Sequence, residues 1–260
     1  MADSKKDKYI NVAGFLINII LKKTNENKVF ESFEVNTLSF LKDFTCPSPI
    51  SDVDFMIEVT DSTLNLTESG VLNLTKINKK NRIYITPNID SFRFQMLIQN
   101  ILYKLLSKSG FLLHASASRI NGKVHLFLGK PGAGKSTVVN LLEGTFPALT
   151  DDLSIIRKVK NKYFLYQHPF VEKNPIRDKT TEEYAIDNLF FIKKSRQFKI
   201  KSIHNKQIVL DKLIKQLVTP NKKMVKNLME FTSSFDNSYL LYFAKDKKKL
   251  SKLIGDHVKG

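Results

Sequence analysis

The sequence predicts an α/β protein in two parts: a β-rich N-terminal region over residues 1–108 that ends in an amphipathic helix, and an α/β domain over residues 109–260. Three observations lead there. Short β-branched or aromatic-rich runs at 9–21, 53–60 and 82–86 are separated by Asn, Ser, Pro and Lys clusters, the punctuation expected between strands. From Ser91 to Ser107 the apolar residues recur at three- and four-residue steps, as on one face of a helix. Around Gly129 a strand, a glycine-rich loop and a helix follow one another without interruption.

The elements follow in chain order. Lys5, Lys6 and Lys8 precede the apolar run Val12 to Leu21, which is how a signal peptide begins. Asn11 and Asn18 interrupt that run, no small-residue cleavage site follows, and it falls far short of the ~20 apolar residues that span a bilayer. The expectation is a first buried strand behind a solvated tail. The helix of 91–107 presents Phe94, Leu97, Ile98, Ile101, Leu102, Leu105 and Leu106 on one face, and Ser109-Gly110 is its stop. Phe111 to Ser116 and Val124 to Leu128 then read as a hairpin, with Asn121-Gly122 supplying the positive φ angles of a tight turn. Ser136 to Leu142 reads as a helix, and Leu153 to Arg157, Tyr163 to Tyr166 and Leu189 to Ile192 as strands. Ile208 to Leu217 and Lys222 to Phe231 read as helices.

Composition narrows the class. With 260 residues and 42% hydrophobic content the chain can bury a sizeable core. A single cysteine, Cys46, excludes an intrachain disulfide and makes the reducing cytoplasm the expected compartment. The net charge is +17, and it is uneven: residues 1–110 hold 14 basic and 12 acidic side chains, leaving 28 and 13 for residues 111–260. Such a field favours an anionic partner, although a Lys-rich genome would produce the same count with the lysines of 245–249 as a solvated face. Nucleic acid is not expected, because no recognition helix, RNP-like or zinc signature is present.

Gly129-Lys130-Pro131-Gly132-Ala133-Gly134-Lys135-Ser136 fits the phosphate-loop pattern in its required strand-to-helix context. Glycines let successive N–H groups converge on phosphate oxygens, and the following helix start adds a favourable dipole. Lys135 would supply charge to the outer phosphates, and the Ser136 hydroxyl would ligate Mg²⁺. Asp151-Asp152 follows Lys135 by 16 and 17 residues. Two adjacent carboxylates near a phosphate site can divide labour between metal and proton, and they can equally form a polar turn or cap. His114, at the end of an apolar strand, reads as a core histidine on its own. His168-Pro169 reads as a turn, and Arg177 as a phosphate clamp or a solvated loop arginine.

Leu113 to Ala117, Phe127 to Thr137 and Thr150 to Asp152 together resemble the catalytic domain of HPr kinase/phosphorylase and its kinase-only relatives. In that family a strand histidine, a phosphate loop and an Asp-Asp pair come in this order at nearly this spacing. The resemblance covers roughly residues 111–217. It implies the phosphoenolpyruvate-carboxykinase-like variant of the P-loop fold, with a mixed sheet. It also implies a serine kinase using ATP and Mg²⁺, with Gly129 through Thr137 on the nucleotide, Asp151 as base, Asp152 with the metal, and His114 beside the transferring phosphoryl group. The acceptor would be a serine in a protein or peptide, acidic if the basic field is used, and a homo-oligomer is implied. Two departures count against phosphorylase action and against HPr as acceptor: Thr137 replaces the usual acidic residue, and Asn174-Pro175-Ile176-Arg177 is at most a remnant of the downstream glycine- and arginine-rich signature. Two other readings stay open, a carboxykinase-like enzyme on a small carboxylic acid and a nucleotide-gated binding module.

Overall fold

The computed structural model describes residues 4–23, 27–48, 52–60, 75–77, 81–176 and 178–259. The chain divides into two compact units, Met1–Leu105 and Leu106–Gly260. Both contain mixed α/β structure. Among the described residues no helix is long and apolar enough to cross a membrane.

In the first unit the expected single strand over 9–21 is instead a hairpin, β1 (Ser4–Val12) and β2 (Phe15–Lys23). Ala13 and Gly14 form the turn with φ of 54° and 71°, the two positive angles that a two-residue hairpin loop of matching twist requires. An apolar run hid the turn because Ala13 is itself buried. After α1 (Asn27–Ser32) and two short helical turns come β3 (Thr45–Cys46), β4 (Phe55–Thr60), β5 (Thr75–Ile77), β6 (Arg82–Ile85) and α2 (Ser91–Leu106). The sheet runs β3-β1-β2-β4-β6-β5, with β2, β4 and β6 parallel. Ile17, Ile19 and Ile57 of the sheet, with Phe33 and Phe94 from the helical segments, are among the unit's fully buried side chains.

The second unit is built from β7 (Gly110–Leu113), β8 (Ser116–Ile120), β9 (Lys123–Leu128), α3 (Lys135–Leu142), β10 (Ala148–Thr150), β11 (Ser154–Val159), β12 (Lys162–Tyr166), β13 (Tyr184–Lys194), β14 (Lys199–Ser202), α4 (Lys206–Ile214), α5 (Lys222–Ser234), β15 (Ser238–Phe243) and α6 (Lys247–Lys259). The turn at Asn121-Gly122 has the expected positive φ angles, 51° and 78°. The first arm of that hairpin is shorter than expected, because the chain breaks at His114-Ala115. Leu113 pairs with Ser154 of β11, whereas Ser116 pairs with Phe127 of β9. One apolar run thus serves two sets of neighbours, which alternation alone cannot reveal.

The eleven-residue β13 joins these sets. Its start lies antiparallel to β12, its middle parallel to β9, and its end parallel to β15. On one face Phe127, Phe190, Ile192, Leu241 and Phe243 bury against Val138, Val139 and Leu142 of α3 and Leu250 and Ile254 of α6. Asn205 and Asn221 cap α4 and α5 by accepting from backbone N–H groups of the first turn. α4 ends at Ile214, short of the expected Leu217, because Gln216 and Val218 turn their backbones to His114 and Leu112.

Gly110 has no room for a side chain. A Cβ there would lie 2.2 Å from the carbonyl oxygen of Ile156 and 2.7 Å from Leu106. Gly110→Ala is therefore expected to destabilise the second unit by about 3 kcal/mol through overpacking, read as a lowered urea midpoint. A wild-type midpoint would mean that β7 and β11 separate freely.

Candidate functional site

The glycine loop leaves the C-terminal end of β9 and re-enters at the first turn of α3. Gly132 and Gly134 take φ of 76° and 106°, left-handed values that a side chain rarely tolerates. Gly134 carries a second constraint, since a Cβ there would lie 3.0 Å from the Phe243 ring. Lys130, Pro131 and Gly132 form the exposed crest, while Gly129, Ala133, Gly134, Ser136 and Thr137 are partly buried. Lys135 is buried, and its ammonium donates to the Gly129 carbonyl at 3.0 Å. Burial pushes that ammonium below the ordinary lysine range, with Asp152 and Asp151 opposing the shift. A cation is thus held at the base of the loop within the field of both carboxylates.

Asp151 and Asp152 lie between β10 and β11 and have unlike surroundings. Asp151 is 1% exposed. Its Oδ2 accepts from the Asn174 amide at 2.6 Å, its carbonyl accepts from the Ser116 hydroxyl, and its N–H donates to Glu172 at 2.9 Å. Oδ1 has a lighter contact, Ser116 Oγ at 3.4 Å. The side chain of Asp152 is 57% exposed and lies 3.1 Å from Nδ1 of His114. His114 is set in place by its own N–H, which donates to the Gln216 carbonyl at 2.7 Å. The structure therefore joins His114 to Asp152 directly and brings Lys135 near both carboxylates. Arg177 lies outside the described residues.

Four contributors escaped the sequence reading of chemistry. Ser116 and Asn174 hold Asp151 as described, and Glu172 holds its backbone. Glu172 is in turn 3.1 Å from Nε2 of His168 and 3.4 Å from Lys179, with the Glu172 and His168 side chains only 2% exposed. Lys179 also donates to the carbonyls of His168 and Phe170. His168 is thus part of a buried ionic cluster as well as of a turn. Burial alone would raise the Glu172 carboxyl, but His168, Lys179 and the Asp151 N–H hold it below the usual range. The stability it contributes is present above the ordinary glutamate range and is lost as pH falls through the lowered value. No spacing rule marks such a cluster.

Glu172→Gln leaves the half-buried Lys179 beside a neutral partner, so a loss of about 2 kcal/mol is expected. A denaturant titration checks this. An unchanged midpoint would show that the cluster does not hold the 167–180 segment in place.

Among the described residues no group of three or more His, Cys, Asp or Glu side chains is arranged to hold a metal ion. The Ser136 hydroxyl and the Asp152 carboxylate are hard oxygen donors. Such a set suits Mg²⁺, which keeps waters and is completed by substrate phosphates.

No family model matches the chain, and no curated protein matches it. Among solved structures, the Hpr(Ser) kinase/phosphatase from Coxiella burnetii aligns over 57% of this chain and 99% of its own, at 12% identity and a TM-score of 0.33. The likeness is distant.

Proposed function

We propose that the chain is an ATP-dependent kinase that transfers the γ-phosphoryl group to a serine hydroxyl of a protein or peptide. The observation that carries this is the buried Lys135 ammonium, held at the base of a glycine loop and within the field of two adjacent carboxylates. Phosphoryl transfer needs little more than positioning, charge neutralisation and a place for the acceptor's proton. The loop N–H groups and Lys135 hold the phosphates, and Mg²⁺ held by Ser136 and Asp152 would neutralise their charge. Asp151 takes the serine proton through Oδ1, the oxygen that Asn174 leaves free.

One observation favours exchanging the two carboxylate roles. Asp152 is the exposed member of the pair and is oriented by His114, whereas Asp151 is almost fully buried. Exposure favours Asp152 as the group that meets an acceptor. Orientation by Asn174 favours Asp151.

The test is incubation with γ-labelled ATP, Mg²⁺ and a mixture of small proteins and peptides. Label on a serine supports the kinase. Label recovered as free phosphate alone favours a nucleotide-gated module, and label on a small carboxylic acid favours a carboxykinase-like enzyme.

A further inference from the structure

From Asn188 to Leu210 the chain carries five lysines and one arginine and no carboxylate. Lys206 pairs with Asp236 at 2.7 Å. Among the described residues none of Lys193, Arg196, Lys199 and Lys201 forms an ion pair. These side chains gather about β14, and β14 closes one side of its sheet. The strands run β9-β13-β15-β14, and no described strand pairs with the outer side of β14.

The backbone of that edge is legible from its register. Ile203 N–H donates to the Ser238 carbonyl at 2.7 Å, so by alternation Lys199 and Lys201 also turn their backbone groups toward β15. The N–H and C=O groups of Ile200 and Ser202 therefore point outward. Side chains alternate across the sheet in the same way. Ile200 packs on the apolar layer beneath α6, whereas Lys199 lies on the opposite face, where it and Lys193 stand over the Tyr242 ring at 5.0 and 5.6 Å. Lys201 shares that face and is exposed.

We propose that β14 is a docking edge for an extended acidic peptide, which adds to the sheet as a further strand with its carboxylates beside Lys199 and Lys201. In strand addition, backbone pairing supplies affinity and alternate side chains supply specificity. A second copy of this chain does not fit, because pairing two such edges sets lysine opposite lysine, and like charges directly opposed are destabilising. Lysines on an edge strand guard against self-association, and the same guard admits a strand of opposite sign. A nucleic acid or an anionic lipid surface meets the lysines but offers no alternating N–H and C=O row to Ile200 and Ser202. Docking here is independent of phosphoryl transfer, since β14 lies three strands, about 14 Å, from β9 and the glycine loop.

The test is fluorescence anisotropy of the full chain with a labelled peptide of alternating Glu and Val, about ten residues long, without nucleotide. The Glu-Val peptide should bind at low ionic strength, and a Lys-Val peptide should not. Only alternate residues of an added strand turn their N–H groups to the edge. Methylating the backbone nitrogens of one residue type should therefore abolish binding, and methylating those of the other type should spare it. Ser202→Pro removes an outward N–H and no bond to β15, and should weaken the peptide about tenfold at unchanged charge. Lys199→Glu with Lys201→Glu should weaken it tenfold or more and let the Lys-Val peptide bind. An unchanged urea midpoint shows that each variant is folded; if Ser202→Pro lowers it, the methylated peptides on the native chain decide. No binding of the Glu-Val peptide overturns the proposal, as does loss of neither or of both methylated forms. Single-stranded DNA or anionic vesicles that displace the peptide, with Ser202→Pro without effect, would make β14 a general anion surface and overturn it too.

Discussion

Asp151→Asn is expected to slow phosphoryl transfer about 10²–10⁴-fold while leaving Mg·ATP affinity nearly unchanged. A serine hydroxyl is a poor nucleophile until its proton has somewhere to go. The amide keeps the shape of the carboxylate and its backbone contacts with Glu172, and it loses only the proton-accepting oxygen. Asp152→Asn should behave differently. As the metal's partner its loss should raise the Mg²⁺ needed for half-maximal rate, and excess Mg²⁺ should recover part of that rate, which no excess can do for a missing base. The reverse pattern would assign proton transfer to the Asp152 and His114 pair. Two silent substitutions would leave the site as a nucleotide switch.

Lys135→Ala should weaken ATP binding by about 10²-fold and ADP binding far less, since the ammonium pairs mainly with the outer phosphates and a charge-assisted contact contributes about 1.5–3 kcal/mol. Its burial sharpens the contrast. Lys135 donates to the Gly129 carbonyl, so the variant leaves that oxygen without its donor as well as removing a charge. Equal losses for ATP and ADP would show that Lys135 supports the loop and does not reach the outer phosphates.

Legibility in the sequence followed the range of the interactions. The helix of 91–106, the Asn121-Gly122 turn and the glycine loop are local signals, each set by side-chain periodicity or by φ angles that few residues accept. The breaks at Ala13-Gly14 and His114-Ala115 fall inside apolar runs, where small buried residues leave no polar mark. β15 and α6 went unread because the lysines of 245–249 look like a simple charge run, although Asp246 among them caps α6 by accepting from Lys249 N–H. Proximity of His114 to Asp152 was expected only from a family resemblance. The clamp of Glu172 and Asn174 on Asp151 depends on contacts across 21 and 23 residues, and no periodicity encodes these.

The three-way pairing of β13 bears on how the chain is made. Its middle needs the 124–128 segment and its end needs the 238–243 segment. On a ribosome the first neighbour is made before β13, and the second follows only after the 195–237 segment has been made. Non-local pairing of this kind is slow to form because loop closure precedes its reward. The glycine loop is thus complete in sequence before the Phe243 ring that packs against Gly134 is synthesised. Nascent chains stalled before residue 238 should leave the loop open to protease, and nucleotide affinity should arrive only once residues 238–243 have been made.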